Sequence, residues 1–139
     1  MGSAAANLTA ETLPLPASMA APGTHEAVYS LIEQYLPATA RIADLAAGEG
    51  AFSVKLRDLG HEVIAVDASA DHWKVPSIDH RVIDLDSEFA EAVRSDSGAF
   101  DAVVAIEIIE HLENPFRFVR ECAKLIKLGG LLFVTTPNV

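Results

Sequence analysis

A short glycine loop, spaced aspartates and one acidic–imidazole run are the parts of this sequence whose residue types and spacing could do chemistry. The loop is Asp44-Leu45-Ala46-Ala47-Gly48-Glu49-Gly50. Placed between a strand and a helix, such a loop lets backbone N–H groups and a helix N-terminus face a ligand at close range. Asp67 stands seventeen residues after Gly50, at the end of a second apolar run. A carboxylate there suits a ribose diol, because it can accept two hydroxyl hydrogen bonds. Loop and aspartate together read as a nucleoside-cofactor site. Glu107, Glu110 and His111 form the acidic–imidazole run. Two carboxylates and an imidazole could bind a divalent ion, which would polarise a substrate hydroxyl. The same groups could instead hydrogen-bond locally and orient a loop.

These residues need strands and helices to hold them. Residues 41–45 read as strand one and 51–59 as the helix after the loop, with Gly60 as its stop. Leu56 and Leu59 are expected to face the sheet. Strand two, 62–66, carries a continuous apolar run from Val63 to Val66, the mark of a strand covered on both faces. Residues 80–86 read as a third strand ending in Asp84-Leu85-Asp86, followed by a weak helix over 88–94. Strand four is 100–106. Asn114 as N-cap and Pro115 at the first position start the next helix, with Phe116, Val119, Ala123 and Ile126 as its buried stripe. After Gly129-Gly130 comes strand five, 131–135. Ahead of strand one, Thr24 is the expected N-cap of a helix over 25–36, with Val28, Leu31, Ile32, Tyr35 and Leu36 buried. In this reading His25 is an exposed first-turn residue and Trp73 caps the core. Strands alternating with helices give an α/β, Rossmann-like, doubly wound parallel sheet.

The totals exclude several classes. The chain has 139 residues, enough for one domain, and half of them are hydrophobic. A net charge of −10 argues against a broad nucleic-acid surface. One cysteine, Cys122, permits no internal disulfide and fits a reducing compartment. No apolar run reaches the roughly 18 residues of a membrane helix. The expectation is a soluble, cytoplasmic protein with a small-molecule substrate, no nucleic-acid partner and no membrane association. Residues 1–22, rich in Ala, Ser, Thr and Pro, read as a disordered leader, leaving 23–139 as the folded core.

The dinucleotide fingerprint G-x-G-x-x-G fits the loop poorly. Started at Ala46 it gives Ala46, Gly48 and Ala51; started at Gly48 it gives Gly48, Gly50 and Ser53. That disfavours a nicotinamide dehydrogenase. The loop instead resembles the D-x-G-x-G-x-G loop of class I S-adenosylmethionine (SAM) methyltransferases, with Ala46 in place of the first glycine. The run from Phe100 to Asn138, F-D-x-V-x-x-x-E-x-I-E-H-L-x-x-P, then G-G, then T-P-N, resembles the subgroup containing the ubiquinone-pathway O-methyltransferases. The resemblance covers residues 24–139. It implies strand order 3-2-1-4-5, with the ligand at the C-terminal strand ends between strands one and four. It also implies SAM as cofactor and S-adenosylhomocysteine as product. Asp44, Gly48 and Gly50 belong to its loop, and Ala46 and Asp67 hold the amino-acid and ribose ends. Ala68 and Glu107 flank the site, Asp84 accepts from the adenine amino group, Leu85 covers the ring and Ile106 lies beside the methionine part. A helix placed like 25–36 helps to roof the cofactor in these enzymes, so His25 could also approach its carboxylate. The E-x-x-E-H run is likewise part of a magnesium site in small-RNA ribose methyltransferases, but those enzymes need a further histidine beyond this region.

The implied reaction is in-line methyl transfer to a small-molecule acceptor, with oxygen favoured. His111 is the candidate base, because imidazole exchanges protons near neutral pH. The fold so implied carries two more strands than are seen here, so the chain reads as truncated after strand five. Residues 131–134 then lie at an open apolar edge, which favours self-association. A noncatalytic SAM-binding or partner module is the alternative function.

Overall fold

The structure, a computed structural model, describes residues 15–95 and 97–138. Helix α1 (Thr24–Tyr35) leads into β1 (Arg41–Leu45), α2 (Ala51–Asp58) and β2 (Glu62–Asp67). Then follow β3 (Asp79–Val82), α3 (Ala90–Arg94), β4 (Phe100–Ile106), a 3-10 turn (Ile109–His111), α4 (Pro115–Leu125) and β5 (Ile126–Thr135). The five strands form one sheet in the order β3-β2-β1-β4-β5, and every pair is parallel. This is the expected doubly wound α/β fold.

Side chains alternate across the sheet, so each strand feeds two cores. Ala43, Leu45, Val66, Val103 and Ala105 pack with Phe89 and Val93 of the α3 region and Phe118, Cys122 and Leu125 of α4. Ile42, Ala65, Ala102 and Val104 pack with Val28 and Ile32 of α1 and Phe52 and Leu56 of α2. The central strands are apolar on both faces because both faces are covered.

Several local expectations are corrected. The buried stripe of α4 is Phe118, Cys122 and Leu125, while Phe116 is 78% exposed and Val119 and Ala123 also face water. The sequence offers two apolar stripes at helical spacing, and a polar contact accompanies the one that packs: buried Glu121 accepts a hydrogen bond from Ala90 N–H at 2.9 Å. In α1, Leu31 and Tyr35 are exposed, and Gly23 rather than Thr24 is the N-cap. Leu59 lies past the end of α2 and is exposed. Strand β3 stops at Val82, before the acidic triplet. Strand β5 starts at Ile126 and bulges: Phe100 pairs with Ile126 but Ala102 with Leu131. It lies at the sheet edge, with Val134 exposed. Asn114 caps α4 as expected, accepting from Arg117 N–H at 3.0 Å.

Candidate active site

Parallel strands all present their C-terminal ends to one side, and the order in which strands are added reverses between β1 and β4. A cavity of about 270 Å³ opens there. The loop after β1 forms its floor. Ala46 and Ala47 N–H both donate to Val66 O, at 2.7 and 3.1 Å, which ties the loop to the end of β2. Gly48 N–H donates to Asp67 Oδ2 at 2.9 Å, and Ser69 N–H to Asp67 Oδ1 at 3.3 Å. The Asp67 carboxylate is therefore oriented by backbone, with a second lone pair on each oxygen left for a ligand.

Gly50 is a position where only glycine fits. A Cβ there would lie 2.7 Å from Val75 Cγ2 and 2.8 Å from Trp73 Cζ3. Trp73 closes the loop from behind and stacks on His80 at 4.4 Å; it is not part of the cavity wall. Ala46 has φ +64, a left-handed conformation costly for any residue with a Cβ. That conformation is why a glycine suits this position. Ala46→Gly is expected to raise stability by up to about 1 kcal/mol and the melting temperature by roughly 2–5 °C, checked by calorimetry. An unchanged or lower melting temperature would show that the loop bears no strain at Ala46.

Asp44 is buried at the end of β1, on the α1/α2 face, and Ser53 Oγ donates to its Oδ2 at 2.6 Å. Burial pushes its carboxyl up to about 7; the Ser53 bond opposes this and the Asp67 charge adds to it. Glu107 follows β4 with φ +52. Its N–H forks onto Thr135 O at 3.1 Å and Thr135 Oγ1 at 3.0 Å, so β5 holds this unusual backbone in place. Ile106 completes the β4 side of the wall.

The structure thus brings Asp44, Ala46, Gly48, Asp67, Ile106, Glu107 and His111 to one cavity. Gly50 sits behind the loop. Ala68, Asp84 and Leu85 are not brought there. Asp84 is exposed and engaged in its own turn, accepting from Asp86 N–H at 2.9 Å. Leu85 is buried in the core beneath α3. Glu107, Glu110 and His111, the groups that could have bound an ion, are not gathered for it: among the described residues, no three His, Cys, Asp or Glu side chains are placed to hold one. The Glu107 carboxylate turns to Ala21 N–H, while His111 stands on the 3-10 turn with Nε2 3.6 Å from Glu110 Oε1.

Sequence reasoning placed His25 in water. It is buried in the cavity wall, edge-on to Phe52 at 5.0 Å and 3.5 Å from Ser18 Oγ. Burial and Lys55 hold its imidazole below the usual value, against the pull of Glu26 and Glu107. Glu49, Phe52 and three residues of the expected leader, Ala17, Met19 and Ala20, also line the site. Of that leader, residues 1–14 lie outside the described residues. The Ala- and Pro-rich stretch carried no signal for such packing; its only local cue is Gly23 before the helix.

The wall holds the carboxyl groups of Asp44, Glu49, Asp67 and Glu107 and no lysine or arginine among its described residues. Such a lining suits a cationic nucleoside and repels a pyrophosphate.

Comparison with known proteins agrees with this chemistry. The family described as a methyltransferase domain matches residues 20–139. A ubiquinone biosynthesis O-methyltransferase from Xanthomonas axonopodis pv. citri is 36% identical over 111 residues, 73% of this chain and 45% of that protein. The chain therefore spans under half the length of this relative. The PH0226 protein of Pyrococcus horikoshii superposes with a TM-score of 0.64 at 26% identity, over 79% of this chain and 56% of that one. A SAM-dependent methyltransferase from Archaeoglobus fulgidus superposes with a TM-score of 0.63 at 24% identity, over 83% and 54%, and shares the fold. Among the described residues, no helix is long and apolar enough to cross a membrane.

Proposed function

This chain belongs to the methyltransferase-domain family, and from that membership we propose that it binds SAM and serves methyl transfer to the oxygen of a small molecule. The observation that carries this reading is the acidic cavity at the β1/β4 switch, floored by the glycine loop and bounded by Asp67. SAM would supply a methyl group on a sulfonium; the acceptor oxygen takes the methyl carbon, the carbon–sulfur bond breaks with its electron pair going to sulfur, and S-adenosylhomocysteine leaves.

The chain's own residues then have distinct work. Asp67 accepts from the ribose hydroxyls. The Ala46–Ala47–Gly48 backbone and Glu107 hold the amino-acid end. Asp44, Glu49 and Glu107 favour the positive charge of the cofactor over its neutral product. His111 takes the acceptor's proton from the exposed rim of the cavity, with Glu110 Oε1 3.6 Å from its Nε2. Positioning and exclusion of water account for most of the rate, because the methyl donor is already activated.

The test is binding and turnover together. Calorimetric titration is expected to show S-adenosylhomocysteine binding at roughly micromolar Kd, near −8 kcal/mol, and no heat with NAD. His111→Ala is expected to keep that affinity and, in whatever length of chain turns over, to lose about 100-fold or more in kcat. Binding of NAD in preference to S-adenosylhomocysteine would reject the reading, and full turnover by His111→Ala would reject the base.

A further inference from the structure

Residues 15–23 cross the mouth of the cavity before α1 begins. Two backbone amides tie them down on opposite sides. Ala17 N–H donates to Glu49 Oε2 at 2.6 Å, and Ala21 N–H donates to both oxygens of Glu107, at 3.1 and 3.3 Å. Between these points Met19 lies over the glycine loop, its Sδ 3.0 Å from where a Cβ on Gly48 would stand.

Both anchors are held in advance. Glu49 is paired with Lys74 Nζ at 2.7 Å, and the backbone of Glu107 is fixed by Thr135. The strap itself buries little. Met19 is 67% exposed and Leu15 is 88% exposed. A segment held by two backbone amides on carboxylates and by Ser18 Oγ at 3.5 Å from His25 Nε2, with its large side chains mostly in water, opens at low cost. Its junction with α1 is Gly23, at φ +84, with nothing within 4 Å of a Cβ placed there. Glycine is used at this point for its backbone conformation and not for space, as a hinge requires.

We propose that residues 15–23 are a gate, hinged at Gly23 and latched by Glu49 and Glu107, and that it must open before the cofactor enters. The inference rests on the proposed cofactor site for the identity of the ligand. Two observations set the direction. The space beneath the strap is about 270 Å³, at the lower limit of the roughly 300–1,000 Å³ of pockets that take drug-sized ligands. And Ala21 N–H sits against both oxygens of Glu107, the carboxylate assigned to the ligand's amino group, so the strap lies across the approach to it. The closed form excludes ligand, and apparent affinity is reduced by the fraction of open molecules.

Proline has no N–H, so Ala17→Pro and Ala21→Pro each remove one latch and leave both carboxylates intact. Met19→Ala lightens the roof without touching the backbone. Association of S-adenosylhomocysteine, followed by stopped flow, is expected to speed up by about five-fold or more in the unlatched variants, with equal or tighter Kd. A cofactor-independent readout uses Ala51→Cys on the cavity wall, where alkylation by iodoacetamide should accelerate on addition of either proline. The native Cys122 is fully buried and stays silent. If Ala17→Pro or Ala21→Pro unfolds the chain, Met19→Ala carries both readouts.

Unchanged association and unchanged alkylation would overturn the gate. So would weaker binding through faster dissociation alone, since that describes a cover that closes after binding. Absence of S-adenosylhomocysteine binding by a folded wild-type chain would reject the proposed function, while alkylation would still decide the gate.

Discussion

Asp67→Ala is expected to weaken S-adenosylhomocysteine binding by about 100-fold or more, because two hydrogen bonds to a charged acceptor are lost at about 1.5–3 kcal/mol each. Gly48 N–H and Ser69 N–H take one lone pair on each Asp67 oxygen and so aim the remaining two. Alanine removes the acceptors and also frees the glycine loop from the end of β2. Asp67→Asn separates the two effects. Its amide oxygen can still accept from Gly48 N–H, but it offers one acceptor where the carboxylate offers two. Binding by the asparagine variant should fall between wild type and alanine. Calorimetric titration of the three proteins at one pH measures this. Wild-type affinity in Asp67→Ala would remove Asp67 from the site.

Asp44 yields the second large effect, on stability against pH. Its carboxyl titrates near 7 in the folded chain, against 3.8 for an ordinary aspartate, chiefly because it is buried. Between those values the folded state holds a proton that the unfolded state has released, so stability falls as pH rises. The contribution is most favourable below about pH 4, declines from 4 to 7 and is flat above. A shift of this size corresponds to on the order of 2–4 kcal/mol. Asp44→Asn is uncharged at every pH and its side-chain oxygen can still accept from Ser53. The variant is expected to be more stable than wild type at pH 8 and to lose most of the decline between pH 4 and 7. Urea unfolding at half-unit pH steps reads both. Parallel pH profiles for variant and wild type would show that Asp44 is ionised throughout.

The Asp44 charge also bears on ligand choice. A cation bound in the cavity favours the ionised carboxylate, so binding of the sulfonium cofactor below pH 7 should release a proton. The buried acid is thus a cost to the folded chain that a positively charged ligand offsets. That pairing of an unfavourable residue with a candidate site is common where function and stability compete.

The fold and the loop beneath the cavity can be read from apolar runs and glycine spacing alone. Strands 41–45, 62–66 and 100–106 hold apolar residues on both faces, as in 63–66 and 102–106, and a parallel sheet covered on both faces buries them. The glycine loop and Asp67 are legible because their roles depend on backbone geometry within one strand–loop–helix–strand unit. Local spacing is enough to place them. Tertiary structure decided the rest. Which stripe of α4 turns inward depends on what lies opposite, and the inward one brings Glu121 to Ala90 N–H as well as Phe118 to the core. Asp84 and Leu85 depend on where β3 stops, which is Val82, four residues before the end expected for it. His25, Glu49 and Glu107 gain their partners from segments far along the chain: Ala17 is 32 residues from Glu49, and Ala21 is 86 from Glu107. No periodicity records such contacts. They arise because the parallel sheet delivers its strand ends to one side, and whatever precedes the first helix must pass over them.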